Sequence, residues 1–175
     1  MIIGVAGKIG AGKDTVAGIC VRKFGFTQVA FATKVKEIVA TMTGLPKETM
    51  YTHEGKNTKV AGLPYTVGQL LQTIGQGYRT IFYPNIWIDL LFNNYNNDKW
   101  AIADVRYANE AAEIHRRGGI VIYVEGDPMG VRAKDSRDMN HPSEQGLVSF
   151  DYIIENNGSI ANLETKVSEI VSKHI

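Results

Sequence analysis

The chain has 175 residues, of which 44% are hydrophobic and 21% are charged, and its formal net charge is +1. These values are those of one ordinary globular domain with room for a subdomain, and the near-neutral charge argues against a surface built mainly to bind nucleic acid. The single cysteine, Cys20, excludes an intramolecular disulfide framework and favours a location in the reducing cytoplasm. No apolar run approaches the roughly 18 residues that a membrane-spanning helix needs, so we expect no membrane partner.

Apolar runs alternate with helical patterns along the chain, which is typical of an α/β fold around a parallel sheet. Five strands are predicted, at 2–6, 28–32, 100–105, 120–125 and 151–155. Helices are predicted over 14–24, 33–43, 66–82, 84–95, 108–118 and 160–175, the last with Ser159 as its N-cap. Residues 45–65 show no clear periodicity, so we expect a loop-rich insertion there. Residues 126–145 form a long polar loop, and loops of that length are often lids or binding loops.

The stretch GKIGAGKDT, residues 7–15, has the spacing G-x-x-x-x-G-K between a predicted strand and a predicted helix. That context is typical of a phosphate-binding loop, in which glycines let backbone N–H groups converge on a phosphate and the helix N-terminus adds positive charge. Lys13 can reach the β- and γ-phosphates of a nucleotide. The alternative is a glycine-rich turn with an incidental lysine. The nucleotide contacts predicted in this loop are Gly7, Gly10, Ala11, Gly12, Lys13, Asp14 and Thr15.

Asp14 stands where this type of loop usually carries a Ser or Thr that binds Mg²⁺. A carboxylate beside a triphosphate is repelled unless a metal, water or basic group intervenes. Thr15 supplies a hydroxyl one position later, an arrangement similar to that of nucleotide kinases. We therefore expect Thr15 to contact a phosphate and Mg²⁺ to be held largely through water.

Asp104 ends an apolar strand, at the sheet edge where ligands bind in open α/β folds. It can orient Mg²⁺ through water, and the alternative is a cap or turn for the segment that begins at Tyr107. Arg106 lies two residues on, toward the same edge, and its guanidinium fits a phosphate. Glu110 is a candidate to orient Arg106, or it caps the next helix.

The long loop carries Arg132, Lys134, Arg137 and His141. Phosphoryl transfer requires neutralised charge and excluded water, and a basic lid supplies both. We expect Arg132 and Arg137 to take part in catalysis and Lys134 to be a surface residue. The sequence HPSE, residues 141–144, is interpreted as a proline-containing turn in which Ser143 caps a short helix.

The chain resembles the phage-type deoxynucleoside monophosphate kinases, a branch of the P-loop nucleoside monophosphate kinases. The likeness follows the chain in order through GKIGAGKDTVA, FATKVKEIV, LLQTIGQGYR, PNIWIDLL, ADVRYANEAAEI, HPSE and DYIIENNGSIANL. The first motif is shared by many P-loop proteins, whereas DVRxxNEA followed by HPSE is much more specific to this group.

The resemblance implies one P-loop kinase domain over 1–175, with ATP and Mg²⁺ at the phosphate loop and a deoxynucleotide acceptor across the sheet edge. It implies a helical acceptor-binding insertion at about 45–95 and a lid at about 126–145. The acceptor-binding residues it implies are Lys36, Gln72, Arg79, Trp87, Asp104 and Arg106. Lys13, Arg106, Arg132 and Arg137 would be catalytic, and Asn156 and Gly158 would lie at the ATP base. The implied location is the cytoplasm, that of the host if the chain is viral, and a homodimer is left open.

The chain departs from the family pattern in one place. Where the family often reads TxRELLQ, this chain reads TVGQLLQ, so Gly68 and Gln69 replace an Arg-Glu pair. That change removes a candidate phosphate ligand. Either Arg79 or a lysine compensates, or the acceptor differs from the usual one.

Three other functions are compatible with a phosphate loop. The chain could phosphorylate another small molecule, as dephospho-coenzyme A kinases do. A GTPase switch is disfavoured because the guanine-reading motif N-K-x-D is absent from the sequence. A nucleic-acid-linked ATPase is disfavoured by the near-neutral charge, and the spacing of the four histidines does not predict a structural zinc site.

Overall fold

Five parallel strands form a single sheet in the order β2-β3-β1-β4-β5 in a computed structural model that describes residues 1–93, 95–96, 98–146 and 149–175. The strands are β1 (Ile2–Ala6), β2 (Thr27–Val29), β3 (Trp100–Val105), β4 (Ile120–Glu125) and β5 (Tyr152–Glu155). The helices are α1 (Lys13–Phe24), α2 (Thr33–Thr43), α3 (His53–Asn57), α4 (Val67–Ile81), α5 (Ile86–Phe92), α6 (Ala108–Arg116) and α7 (Ile160–Val171). The α/β architecture predicted from the sequence is therefore present.

The central strand β1 is buried on both faces, as expected for a parallel sheet covered by helices. Ile3 and Val5 belong to one core, which includes residues of α1 and α7. Ile2 belongs to a second core on the other side, with residues of α2, α5 and α6. Because β1 pairs with both β3 and β4, the chain leaves its carboxyl end at the point where the strand order reverses, which is where ligands bind in such sheets.

The segment 45–65 is more ordered than the loop-rich insertion that the sequence predicts. It contains a 3-10 helix, Lys47–Met50, and the short helix α3. Met50 and Val60 anchor it in a third core with residues of α2 and α4. These helices are too short for a period of 3.6 residues to show in the sequence.

Other element boundaries differ by a few residues. The second strand was predicted over 28–32 but ends at Val29, because the N–H groups of Phe31 and Ala32 donate to the Asp104 carboxylate instead. Helix α5 begins at Ile86, after Pro84, and the predicted end of that helix includes Asn94, outside the described residues. Ser159 caps α7 as predicted, since its side chain accepts from the Asn162 N–H at 3.2 Å. No helix in the described part of the chain is long and apolar enough to cross a membrane.

Candidate active site

The phosphate loop joins β1 to α1 through glycines whose φ angles are positive. Gly10 has φ +79° and Gly12 has φ +96°, and a Cβ atom on Gly12 would overlap the Asn156 amide. Gly12 is the N-cap of α1 and has no side chain with which to cap it. The first N–H groups of α1 are therefore available to an anion, with the positive end of the helix dipole behind them.

Lys13 extends back over this loop. Its Nζ atom donates to the carbonyls of Gly7 and Lys8, both at 2.8 Å. Burial lowers the pKa of Lys13 well below its usual range, and the positive charge of Arg106 lowers it further. A bound phosphate would favour the ammonium form of this side chain.

The other predicted residues of the loop lie in three settings. Asp14 is exposed and accepts a hydrogen bond from Gln28 Nε2 at 3.1 Å. Thr15 is half-buried in the first turn of α1. Asn156 is buried below the loop, where its Nδ2 atom donates to the Ala11 carbonyl at 3.0 Å.

Asn156 thus braces the phosphate loop from below. Gly158, two residues on, is exposed between β5 and α7. Both residues lie in the loop between β5 and α7, as the resemblance implies, and they differ in that Asn156 is buried and Gly158 is exposed.

Asp104, at the end of β3, holds the beginning of α2. Its two carboxylate oxygens accept the N–H groups of Phe31 and Ala32 at 2.8 and 2.9 Å. Asp104 does not cap the segment that begins at Tyr107, which was the alternative considered from the sequence. Glu110 caps that segment instead, since its carboxylate accepts the Tyr107 N–H at 3.1 Å.

Glu110 also organises two arginines from its buried position. It accepts Arg79 Nη2 at 2.6 Å and the backbone N–H of Arg106 at 2.8 Å. Burial raises the pKa of Glu110 to about 7, while the charge of Arg79 opposes that rise. Glu110 therefore fixes the main chain at Arg106, and not its guanidinium.

The guanidinium of Arg106 pairs with Glu144, which the sequence analysis did not assign. Arg106 Nη1 bonds to a Glu144 carboxylate oxygen and to the Ser143 carbonyl, the latter at 3.1 Å. The other carboxylate oxygen of Glu144 accepts the Ile9 N–H at 3.0 Å. Glu144 is buried and so connects the phosphate loop to Arg106. The HPSE sequence contains a 3-10 helix, Pro142–Glu144, whose cap is His141 and not Ser143, because the His141 side chain accepts the Ser143 N–H at 3.2 Å.

One pocket at this edge of the sheet is lined by all six predicted acceptor residues, namely Lys36, Gln72, Arg79, Trp87, Asp104 and Arg106. Phe31, Val35 and Leu71 add apolar surface, and His141 and Ser143 close the side toward the lid. The cavity that these side chains leave between them is small, about 100 Å³.

Aromatic rings fix the walls of this pocket. Trp87 is buried, donates its Nε1–H to the Gly75 carbonyl at 2.9 Å and stacks on Tyr78. The Arg79 guanidinium lies 4.1 Å from the centre of the Tyr107 ring, and Lys36 Nζ lies 4.0 Å from the centre of the Tyr51 ring. Arg79 and Lys36 are thereby oriented while they keep their charge.

Residues 126–145, the predicted lid, pack on α4 and α3. Gln72 exchanges two hydrogen bonds with the Asp138 main chain, at 2.9 and 3.0 Å. The hydroxyls of Thr66 and Ser136 lie 2.9 Å apart, and the Ser136 N–H donates to Asn57 at 2.7 Å. This segment therefore borders the pocket that the predicted acceptor residues line.

The two lid arginines occupy different positions. Arg132 donates to the Ile9 carbonyl at 2.7 Å and to the Gly126 carbonyl, so it lies against the phosphate loop. Arg137 forms a two-pronged ion pair with Asp135, at 2.8 and 2.6 Å. The buried Asp135 carboxylate also contacts His53 of α3 at 3.1 Å.

The sequence and the fold are both similar to those of known proteins. The chain is 29% identical over 192 residues to a protein of Acanthamoeba polyphaga mimivirus that carries the provisional name deoxynucleotide monophosphate kinase, across 98% of this chain and 95% of that protein. The fold is similar to that of dephospho-CoA kinase from Campylobacter jejuni, with a TM-score of 0.50 at 16% identity over 98% of this chain and 96% of that one. Residues 47–167 match the profile of the family described as Deoxynucleotide monophosphate kinase, and the chain therefore belongs to that family.

Proposed function

We propose that the protein transfers the γ-phosphoryl group of ATP to the phosphate of a deoxynucleoside monophosphate. One observation carries this proposal. Arg106 lines the acceptor pocket and also the narrow cleft beside Gly7 and Lys8 of the phosphate loop. A single guanidinium that faces both sites can bridge two anions that must meet for transfer.

The reaction needs no covalent intermediate with the protein. An oxygen of the acceptor phosphate forms a bond to the γ-phosphorus, and the bond from that phosphorus to the β–γ bridging oxygen breaks, which leaves ADP. The protein positions the two anions and neutralises the charge that develops on the transferred group. Lys13 and Arg106 act from the core, and Arg132 and Arg137 act from the lid.

In this proposal the acceptor lies among the insertion residues. Gln72, Arg79 and Trp87 belong to the segment 45–95, and Lys36 faces them from α2. The cations hold the acceptor phosphate, and the apolar wall with Trp87 accommodates the nucleoside. The buried Asn156 supports the phosphate loop. The exposed segment at Gly158 would contact the base of ATP.

The oxygen donors near the loop fit Mg²⁺, which binds few protein ligands and keeps several waters. Thr15 supplies a hydroxyl. Each oxygen of the Asp104 carboxylate accepts one backbone N–H and has a second lone pair that can accept a hydrogen bond from a water bound to Mg²⁺. These two residues would hold the ion, which neutralises charge on the phosphates when bound. Among the described residues no group of three His, Cys, Asp or Glu side chains could hold a metal by itself.

A coupled assay of ADP release from Mg²⁺-ATP tests the function. The acceptors are the four deoxynucleoside monophosphates, their ribose counterparts, deoxyuridine monophosphate and dephospho-coenzyme A. Turnover with one or more deoxynucleotides supports the proposal and gives the base preference. Turnover with dephospho-coenzyme A alone would replace the substrate. Silence across the panel, with ATP binding intact, would reject the proposal.

A further inference from the structure

We propose that Lys56, in the insertion, binds the phosphate groups where the acceptor pocket meets the phosphate loop, and is thus a substrate-binding residue of the reaction. This inference rests on the proposed function. Nothing in the sequence pattern singles Lys56 out, and the observations below come from its place in the fold.

Helix α3 holds Lys56 in a fixed position. Thr52 caps the helix, since its side chain accepts the Gly55 N–H at 2.9 Å. A Cβ atom on Gly68 of α4 would lie 3.0 Å from the Lys56 carbonyl, so the backbones of α3 and α4 are in close contact there. The half-buried Lys56 side chain therefore starts from a well-packed backbone.

Four other elements place charged groups around Lys56. Arg137 of the lid, Lys36 of α2 and Arg106 after β3 are positive, and Asp14 of α1 is negative. Lys36 and Arg106 line the acceptor pocket, whereas Asp14 follows the lysine of the phosphate loop. The contact geometry agrees for Arg137, because the position of a Cβ atom on Gly68 lies 2.8 Å from Arg137 Cγ and 3.0 Å from the Lys56 carbonyl.

The neighbouring cations have partners within the protein, and Lys56 does not. Arg106 pairs with Glu144, Arg137 pairs with Asp135, and Lys36 lies over the Tyr51 ring. Over residues 1–93, 95–96, 98–146 and 149–175, no hydrogen bond or ion pair involves the Lys56 ammonium group. An ammonium group in a half-buried site with three positive neighbours is costly unless an anion joins it.

The charge pattern favours a dianion over a water molecule as the missing partner. Burial, Arg137, Lys36 and Arg106 together lower the pKa of Lys56 to about 8, although Asp14 opposes this. A bound phosphate would raise the pKa of Lys56 again, because its negative charge attracts the Lys56 ammonium group and offsets the repulsion from the neighbouring cations. The alternative is a structural role, in which the aliphatic part of Lys56 packs against α4 and its charge has no effect on substrates.

Kinetics of Lys56→Gln and Lys56→Arg distinguish these roles, with Lys59→Gln as the control because Lys59 is exposed in the same segment. We expect Lys56→Gln to lower kcat/KM for the acceptor by about ten- to hundredfold, the size of a lost charged hydrogen bond. Lys56→Arg should restore most of that loss, and Lys59→Gln should resemble the wild type. Equal acceptor kcat/KM in Lys56→Gln and Lys59→Gln would overturn the proposal, even if Lys56→Gln lowers stability.

A second measurement does not depend on turnover. An amine-acylating reagent, followed by peptide mass spectrometry, reports how reactive each lysine of the wild-type protein is. Tripolyphosphate should protect Lys56 and leave Lys59 unprotected. Unchanged labelling of Lys56 while Lys13 is protected would overturn the proposal. If no deoxynucleotide is phosphorylated, the proposed function fails, and the labelling still decides whether Lys56 binds phosphates.

Discussion

Arg137 of the lid crosses helix α4 at Gly68, where a Cβ atom would lie 2.8 Å from the Arg137 Cγ atom. Because Gly68 has no side chain, the Arg137 side chain has room to pass over α4 at this position. The family that this chain resembles often has an arginine at the corresponding position, and such a side chain would meet Arg137 in this structure. The departure at Gly68 is therefore coupled to the position of the lid.

Gly68→Ala should disturb the packing of the lid on α4. The added methyl meets the Arg137 side chain and the Lys56 carbonyl at 3.0 Å, so one of them must move. Overpacking of this kind costs about 1–3 kcal/mol, which exceeds the gain of about 1 kcal/mol from replacing a helical glycine. We expect a lower free energy of unfolding in urea and a lower acceptor kcat/KM.

The matched control is Gly77→Ala in the same helix, because a Cβ atom there has no neighbour within 4 Å among the described residues. It should raise the free energy of unfolding by up to about 1 kcal/mol and leave kcat unchanged. Equal behaviour of the two alanine variants would contradict the packing argument at Gly68.

Lys13→Ala and Arg106→Ala should each reduce kcat by at least about 100-fold, because each removes a charge that faces the transferred group. The measurement is ADP release at saturating Mg²⁺-ATP and acceptor. Lys134→Ala, in the lid, is the control and should keep wild-type turnover, since we assign Lys134 to the surface. A variant of Lys13 or Arg106 with near wild-type activity over the full substrate range would refute the role of that residue.

Glu144→Gln should destabilise the fold. The amide can still accept the Ile9 N–H, but it leaves the largely buried Arg106 guanidinium without its carboxylate. Loss of one partner of such a pair costs about 2 kcal/mol or more. Urea denaturation measures the change, with the exposed Glu169→Gln as a control expected within about 0.5 kcal/mol of the wild type. Equal stability of the two variants would show that the ion pair is not formed in solution.

Gln72→Ala should loosen the lid, because both hydrogen bonds to the Asp138 main chain are lost. Local opening exposes Arg132, Lys134 and Arg137 to trypsin, and we expect cleavage within the lid to be about tenfold faster. Thr80→Ala, on the exposed side of α4, removes only a bond within the helix and should not alter cleavage. If both variants are cleaved at the same rate, Gln72 does not hold the lid.

The acceptor kcat/KM at saturating Mg²⁺-ATP should fall as the pH rises past about 8. Lys56 binds an anion only as the ammonium ion, and its pKa of about 8 lies below that of an ordinary lysine. Lys13 is common to both proteins compared, so it contributes equally to both pH profiles. Lys56→Arg should therefore reduce this fall, because a guanidinium does not lose its proton in this range. Identical pH profiles in the wild type and Lys56→Arg would exclude Lys56 as the source of any fall.

The fold could be predicted largely from local patterns. Apolar runs and helix-capping residues predict all five strands and the α-helices other than α3, because those signals lie within each segment. The end of β2 could not be predicted, since it depends on Asp104, more than 70 positions away in sequence.

The site was predicted in part. The phosphate loop is a contiguous motif, and the acceptor residues came from the resemblance to a family. Glu144, Asp135 and Lys56 were missed because their significance depends on partners from other elements. The Ile9–Glu144 hydrogen bond, for example, joins residues 135 positions apart, and no local spacing signals it.

The most direct test of the central claim follows the phosphoryl group itself. ATP labelled with radioactive phosphorus at the γ-position is incubated with the protein, Mg²⁺ and each deoxynucleoside monophosphate, and the products are separated. The account predicts label in the β-phosphate of a deoxynucleoside diphosphate, and none with Lys13→Ala. Label that appears only as inorganic phosphate, with every acceptor in the panel, would contradict it.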